Sequence, residues 1–170
     1  MIITIRLEEI EDQKSIRRVN EVAFGQPIEA DLVDALRTNA HPHISLVATV
    51  EDRIVGHIFF SPVSIGSEMG TVTAMGLAPM SVLPEFQNQG IGSRLVNEGL
   101  KRCRDLGHSI VVVLGHPNYY PRFGFIPAHL KGLRSEYDVP DDTFMVLELT
   151  ENALAGRRGL VKYHSEFSRF

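Results

Sequence analysis

The stretch that most constrains this chain of 170 residues is 80–95, where an apolar run passes through a glycine turn into a helix pattern. The apolar run ends at Pro84, a polar turn follows, and Gly90-Ile91-Gly92 opens an amphipathic pattern. The first turn of a helix has backbone N–H groups without intrahelical partners, and its dipole is positive there. Glycine also lets an anion approach the backbone closely. We therefore interpret residues 87–93 as a cradle for a phosphate or pyrophosphate.

Two common phosphate motifs do not account for this stretch. A Rossmann turn needs a small residue where Leu95 stands, and no P-loop string G-x-x-x-x-G-K-[ST] occurs. What remains is Gln87-x-x-Gly90-x-Gly92 after an apolar strand and a proline. This arrangement resembles the acetyl-CoA loop of the GNAT acetyltransferase superfamily. The alternative is a tight strand-to-helix connection that binds no ligand.

A second motif follows the next predicted strand. The string Tyr120-x-Arg122-x-Gly124-Phe125 resembles the Y-x-K/R-x-G-F pattern that GNAT enzymes often carry at this point. Together with the order of the elements, the resemblance spans about residues 2–150. The chain is similar to small bacterial GNAT proteins described as predicted acetyltransferases.

The spacing of apolar residues predicts the order β-α-α-β-β-β-α-β-(α)-β, which is a mixed α/β fold. Strands are predicted at 2–7, 44–50, 54–60, 71–83, 110–114 and 144–149, and helices at 11–24, 29–38 and 90–106. The resemblance implies a mostly antiparallel sheet with helices on both faces, splayed at a bulge in its fourth strand. Pro79 marks the expected bulge, because proline cannot donate to a sheet ladder.

The domain organisation expected from the sequence is simple. Residues 1–150 form a single acetyltransferase domain, and 151–170 form a C-terminal extension. The extension is either an edge strand of the same domain or a cover for a neighbouring subunit. A homodimer is therefore possible, and the sequence does not decide the oligomeric state.

Charge and composition exclude several other classes of protein. The 17 basic and 21 acidic side chains give a net charge of −4, which argues against a nucleic-acid surface. No apolar run reaches the roughly 18 residues of a transmembrane helix, and the start lacks a signal-peptide pattern, so we expect a cytoplasmic protein without a membrane partner. The single cysteine, Cys103, lies on a helical apolar stripe, and the seven histidines lack ligand spacing. No metal site is predicted.

The resemblance implies acetyl-CoA as cosubstrate, held by the glycine loop and by backbone groups of the bulged strand. The residues it assigns to the cofactor are Met80, Ser81, Val82, Gln87, Asn88, Gln89, Gly90, Ile91, Gly92 and Ser93. A strand N–H group near Val82 would stabilise the oxyanion that forms in acyl transfer. Whether the acyl group is acetyl or longer stays open.

The implied reaction is transfer of an acetyl group to a primary amine by direct attack in a ternary complex. The attacking amine must lose a proton, and the leaving thiolate gains from a proton donor. The family pattern makes Tyr120 the candidate general acid, with Tyr119 as its rival. Since the fourth strand lacks Asp, Glu and His, His116 is the candidate base, and an ordered water is the alternative. His57, in mid-strand, is interpreted as a core histidine.

The acceptor can be a small-molecule amine or a protein amine. In the family, two segments determine which acceptor is bound, and here they correspond to about residues 24–30 and 128–142. The second segment carries Glu136, Asp138, Asp141 and Asp142, and an acidic rim would favour a cationic amine. The alternative function is a non-catalytic CoA-binding or sensing domain of the same fold, which the missing strand carboxylate favours slightly.

Overall fold

The computed structural model describes residues 1–68 and 70–169. Within them the helices are α1 (Gln13–Phe24), α2 (Ile28–Asn39) and α3 (Ile91–Asp105). The strands are β1 (Ile3–Leu7), β2 (Ile44–Val50), β3 (Arg53–Ser67), β4 (Gly70–Val82), β5 (Ile110–Leu114), β6 (Ile126–Pro127), β7 (Leu133–Ser135), β8 (Phe144–Glu148) and β9 (Gly159–Lys162). Short 3-10 turns lie at Ile10–Asp12, Pro84–Phe86, Tyr120–Phe123, Ala128–Lys131 and Ser165–Ser168.

The strands form one sheet in the order β1-β2-β3-β4-β5-β8-β6, while β9 pairs with both β3 and β7. Pairing along the main path is antiparallel except between β4 and β5, and β7 also runs parallel to β9. The predicted fold class is therefore confirmed: the protein is an α/β structure with a mixed, mostly antiparallel sheet.

Helices cover both faces of the sheet, as two neighbouring residues of β3 show. A β-carbon built on Gly56 would lie 3.1 Å from Leu95 and 3.3 Å from Ile91, both on α3. The next residue, His57, contacts Asn20 of α1. Because successive strand residues face opposite sides of a sheet, α1 and α3 pack on opposite faces.

The sheet divides where β4 is bulged, as predicted. β4 pairs with β5 only over Met75–Leu77. Its register with β3 shifts between Leu77 and Met80, so that Ala78-Pro79 forms the bulge opposite β3. Beyond the bulge, the end of β4 remains paired with β3 while β5 leaves it. We call this point the fork.

The structure differs from the predicted elements in the length of β3 and between β5 and β8, where β6, β7 and two 3-10 turns take the place of the predicted helix. β3 continues past residue 60 to Ser67, because Val63 and Ile65 are buried in a second core cluster. Pro62 is tolerated there because β2 pairs with β3 only as far as Phe60. The chain after residue 150 also packs into this cluster through Leu154 and Tyr163. None of the helices in the described ranges combines the length and apolar character needed to cross a membrane.

Candidate active site

A cleft of about 560 Å³ opens beyond the fork, between the end of β4, the start of α3 and the end of α1. Its lining residues are Ala23, Phe24, Met80, Ser81, Val82, Phe86, Gln87, Asn88, Gly90, Ile91, Gly92, Ser93, Tyr119 and Arg122. The cleft thus combines the glycine turn and the bulged strand that the sequence had singled out separately.

The glycine turn ends in a left-handed residue that starts the helix. Gly90 has φ +84°, a conformation that strains any residue with a β-carbon. The N–H of Arg94 donates to the Gly90 carbonyl (3.1 Å), which begins the α3 ladder. The N–H groups of Ile91, Gly92 and Ser93 precede that bond and have no intrahelical acceptor. They leave unpaired N–H groups on the wall of the cleft, a geometry that suits an anion.

The free edge of β4 supplies further backbone groups. The N–H of Leu83 donates to the Val55 carbonyl (2.8 Å), which fixes the alternation of the β3–β4 ladder. In this register the backbone N–H and C=O groups of Ser81 pair with β3. Those of Met80 and Val82 point the other way, into the cleft. The Gln87 side chain donates to the Val82 carbonyl (2.9 Å). The N–H groups of Met80 and Val82 therefore face the space that β5 has left.

The cleft brings together most of the residues predicted to bind the cofactor. All of them line it except Gln89, whose side chain donates to the Glu85 carbonyl (3.2 Å) and so braces the loop. Gln89 thus supports the turn and does not face the cleft.

The two adjacent tyrosines occupy different places. Tyr119 lines the cleft, and its hydroxyl lies 3.2 Å from Oγ of Ser93. Tyr120 is buried, and its ring packs on the backbone just after β5: a β-carbon on Gly115 would lie 2.5 Å from its Cε2. Tyr120 therefore stands on the β5 side of the fork and, unlike Tyr119, is not among the residues that line the cleft. Burial, with a smaller contribution from Tyr119, raises the pKa of Tyr120 to about 12.

The predicted base is not brought to the cleft. His116 is exposed and does not line it. Its Nδ1 accepts a hydrogen bond from the Asn118 N–H (3.2 Å), which makes it part of the loop after β5. No carboxylate lines the cleft in the described part of the chain either.

Sequence reasoning missed several lining residues. Arg122 lies in the cleft with its guanidinium 4.5 Å from the centre of the Tyr119 ring, and it is the one cationic side chain among the described residues that line the cleft. It stood in the second motif, so a signal was available. Ala23 also lines the cleft from the end of α1, beside Phe24, which begins the segment 24–30 predicted to contact the acceptor. Phe86 lines the cleft from the loop, and no pattern in the sequence pointed to it.

The acidic segment predicted to surround the acceptor lies elsewhere. Asp138 and Asp141 line a separate cavity of about 230 Å³ together with His129 and Arg134. None of the four acidic residues of this segment lines the cleft. The structure therefore gives no support to an acidic rim around the acceptor.

His57 lies directly behind the cleft wall, with no exposed surface. Burial, with a smaller contribution from the charge of Arg37, lowers the pKa of His57 to about 3. The imidazole is therefore neutral in the folded protein at neutral pH.

Because the pKa of His57 is lowered on folding, the stability of the protein should depend on pH. An unfolded histidine takes up a proton below about pH 6.5, whereas folded His57 does so only near pH 3. Between these values the unfolded state binds more protons, so the free energy of unfolding falls as pH falls, by up to about 1.4 kcal/mol per unit. The free energy of unfolding, measured with denaturant at pH 7 and at pH 5, should therefore fall less for the His57→Gln variant than for the wild type. Equal losses would contradict the prediction.

Comparison with known proteins gives consistent matches. A family model described as an acetyltransferase (GNAT) domain matches residues 4–128. The N-acetyltransferase YjhQ of Escherichia coli strain K12 is 41% identical over 142 residues, which cover 82% of this chain and 78% of YjhQ. The solved structure of Escherichia coli YhbS in complex with CoA has a TM-score of 0.91 and 35% identity, over 99% of this chain and 93% of that one. A GNAT family acetyltransferase from Brucella melitensis in complex with acetyl-CoA has a TM-score of 0.79 and 37% identity, over 98% of each chain.

Proposed function

The chain belongs to the GNAT acetyltransferase family, and we propose that it transfers an acetyl group from acetyl-CoA directly to a primary amine. The observation that carries this proposal is the single cleft that joins the glycine turn of α3 to the unpaired edge of β4. Similar structures from Escherichia coli and Brucella melitensis hold CoA and acetyl-CoA. Such a cleft suits a long ligand with an anionic end and an amide-containing arm.

We assign the pyrophosphate to the turn at the start of α3. The N–H groups of Ile91, Gly92 and Ser93 would donate to its oxygens, and the positive end of the helix favours the charge. Arg122, on the same cleft, adds a full positive charge and a planar set of donors that suits phosphate. Gln87 and Asn88 complete the loop that surrounds this position.

The pantetheine arm is assigned to the free edge of β4. Its amides can pair with the strand groups of Met80 and Val82 that point into the cleft, in the way that an added strand would. The oxyanion formed on attack needs a fixed N–H donor, and the N–H groups of these two residues supply one.

Direct attack is favoured over a covalent acetyl-enzyme. The only cysteine of the chain, Cys103, is buried on α3, and burial raises its pKa to about 12. A thiol in that state is not a nucleophile. The acetyl group therefore passes from sulfur to nitrogen in one complex, while the amine proton leaves through water.

Tyr120 is proposed as the donor to the leaving sulfur. Its ring stands at the fork, on the β5 side, in edge contact with the ring of Tyr119 on the cleft wall. The raised pKa keeps the phenol protonated at neutral pH. A hydrogen bond from a phenol stabilises a developing thiolate. Tyr119 is then a wall residue beside the glycine turn.

A non-catalytic CoA sensor is the second candidate function. It is favoured by one observation, the absence of a carboxylate from the part of the cleft lining that the structure describes. A sensor would bind acetyl-CoA and release no thiol in the presence of any amine.

Steady-state kinetics test the proposal against this alternative. The protein is mixed with acetyl-CoA and a panel of a polyamine, an aminoglycoside and a peptide with a free N-terminus, and CoA thiol release is followed. We expect release that depends on one class of amine, with intersecting initial-rate lines. Parallel lines would indicate a covalent intermediate. Saturable binding without thiol release across the panel would favour the sensor.

A further inference from the structure

A continuous chain of hydrogen bonds runs from the cleft wall along the α1-facing side of the sheet, from β4 across β3 and β2 to the end of β1. Its members come from different elements and are Ser81, Asn20, His57, Ser45, Glu8 and Arg37. Asn20 and His57 have no exposed surface, and Ser45 and Ser81 are each 5% exposed. The only member that lines the cleft is Ser81.

The contacts of Asn20 fix the direction of the first two bonds. Its side-chain nitrogen lies 3.1 Å from the Ile16 carbonyl, which can only accept, so this atom is the amide N–H group. The amide oxygen therefore faces Ser81, 3.0 Å away, and accepts the serine hydroxyl proton. The same nitrogen lies 3.3 Å from Nδ1 of His57, so Nδ1 acts as the acceptor.

The remaining bonds follow from the state of His57. A neutral imidazole that accepts at Nδ1 carries its proton on Nε2, and Nε2 donates to Oγ of Ser45 (2.9 Å). Ser45 in turn donates to Oε1 of Glu8 (2.8 Å). Arg37 holds that carboxylate with bonds of 2.7 and 3.0 Å. From Ser81 to Ser45, every donor thus points away from the cleft and toward Glu8.

This direction decides what Ser81 can offer a ligand. Its single proton is committed to Asn20, so only oxygen lone pairs are left for the cleft. Hydrogen bonds in a row polarise one another, and the Glu8 carboxylate at the far end increases the negative character of the serine oxygen. Ser81 is therefore an acceptor for an N–H group and not a donor.

The pleat of β4 indicates which ligand meets that acceptor. Met80 faces the α3 side, because its Cε lies 3.6 Å from a β-carbon built on Gly92. Ser81, the next residue, faces α1, whose end contributes Ala23 and Phe24 to the cleft. The glycine turn lies on the Met80 side, which leaves the Ser81 side for the second substrate.

From this geometry we propose that Ser81 accepts a hydrogen bond from the attacking amine, and that Asn20 and His57 are positioning residues that hold Ser81 in the acceptor state. The proposal rests on the proposed function. A bond from the amine N–H to Ser81 turns the nitrogen lone pair toward the thioester. The chain orients the serine and does not conduct the proton, because the Asn20 amide cannot pass it on. The acceptor amine then needs an N–H group for this bond. The part of the acceptor next to the amine should be apolar, because it would contact Ala23 and Phe24.

Substitution at Ser81 tests the proposal, with Ser61→Ala as the matched control. Ser61 is also a fully buried serine of the same sheet, and its hydroxyl has no partner in the described part of the chain. Ser81→Ala should lower kcat/KM for the amine about tenfold, the effect of one lost hydrogen bond. The Kd for acetyl-CoA, measured by calorimetry, should stay within about twofold. Ser61→Ala should change neither quantity.

Ser81→Cys keeps the test decisive if the alanine variant does not fold, because a thiol fills the same space and accepts hydrogen bonds weakly. It should show the same selective loss. A weaker Kd for acetyl-CoA with unchanged amine kinetics, or no change in either quantity, would overturn the proposal. Wild-type protein without thiol release on any amine would overturn both this proposal and the proposed function. Turnover by the wild type with equal turnover by both Ser81 variants would overturn this proposal alone.

Discussion

Replacing Gly92 with valine is expected to weaken acetyl-CoA binding by about a hundredfold or more, or roughly 2.7 kcal/mol. A β-carbon at this position already lies 3.1 Å from the Tyr119 hydroxyl and 3.6 Å from Cε of Met80. The two further methyl groups of valine have to occupy the turn where we place the pyrophosphate. The anion would then lose its approach to the N–H groups of the first helical turn. Calorimetric titration with acetyl-CoA measures the effect.

Asn97→Val is the matched control for Gly92→Val. It places the same β-branched residue in the same helix, on an exposed face that does not line the cleft. It should leave the acetyl-CoA affinity unchanged. Equal affinity of the Gly92→Val variant and the wild type would show that the cofactor does not use this turn.

Tyr120→Phe is expected to lower kcat about a hundredfold, the usual scale for loss of one acid or base. The phenylalanine ring preserves the packing against Gly115 and the edge contact with Phe125. The KM for acetyl-CoA and the melting temperature should therefore stay close to the wild-type values. The loss should appear in transfer with any competent amine, since the leaving thiolate is the same.

Tyr119→Phe separates the two tyrosines. It removes the hydroxyl that lies beside Ser93 and should change acetyl-CoA affinity by no more than about tenfold, the scale of one hydrogen bond, with kcat largely retained. The opposite pattern, a collapse of kcat in Tyr119→Phe with Tyr120→Phe active, would assign the proton donor to Tyr119.

The fold and the glycine turn could be predicted from the sequence because both depend on local patterns. Apolar periodicity located the helices and most strands, and Pro79 marked the bulge at which the sheet divides. The turn at Gly90 was visible because a left-handed residue before a helix favours glycine strongly. The backbone of this site is thus encoded over a few consecutive residues.

The side-chain environment could not be predicted in the same way. Phe24 and Arg122 line the same cleft although almost a hundred residues separate them in the chain. The burial of the Tyr120 side chain depends on how its ring packs on Gly115. The contact between Ser81 and Asn20 depends on how α1 crosses the sheet. Such contacts depend on tertiary packing, which the spacing of residues in the sequence does not predict.

The acidic segment illustrates the same limit. Its charge run was visible in the sequence, but the chain places these residues around a second cavity and away from the cleft. The lining of the cleft toward α1 is instead apolar, with Ala23 and Phe24. Charge clusters on loops are usually solvated surface, and their composition does not say which site they face.

Calorimetric titration of the wild-type chain with acetyl-CoA, beside a variant with Gly90→Ala and Gly92→Ala, tests the central claim most directly. We predict saturable binding to the wild type at one site per chain and its loss in the variant, because the turn would be strained at φ +84° and narrowed beside Tyr119. No binding by the wild type, or equal binding by both proteins, would contradict the assignment of this cleft to acetyl-CoA.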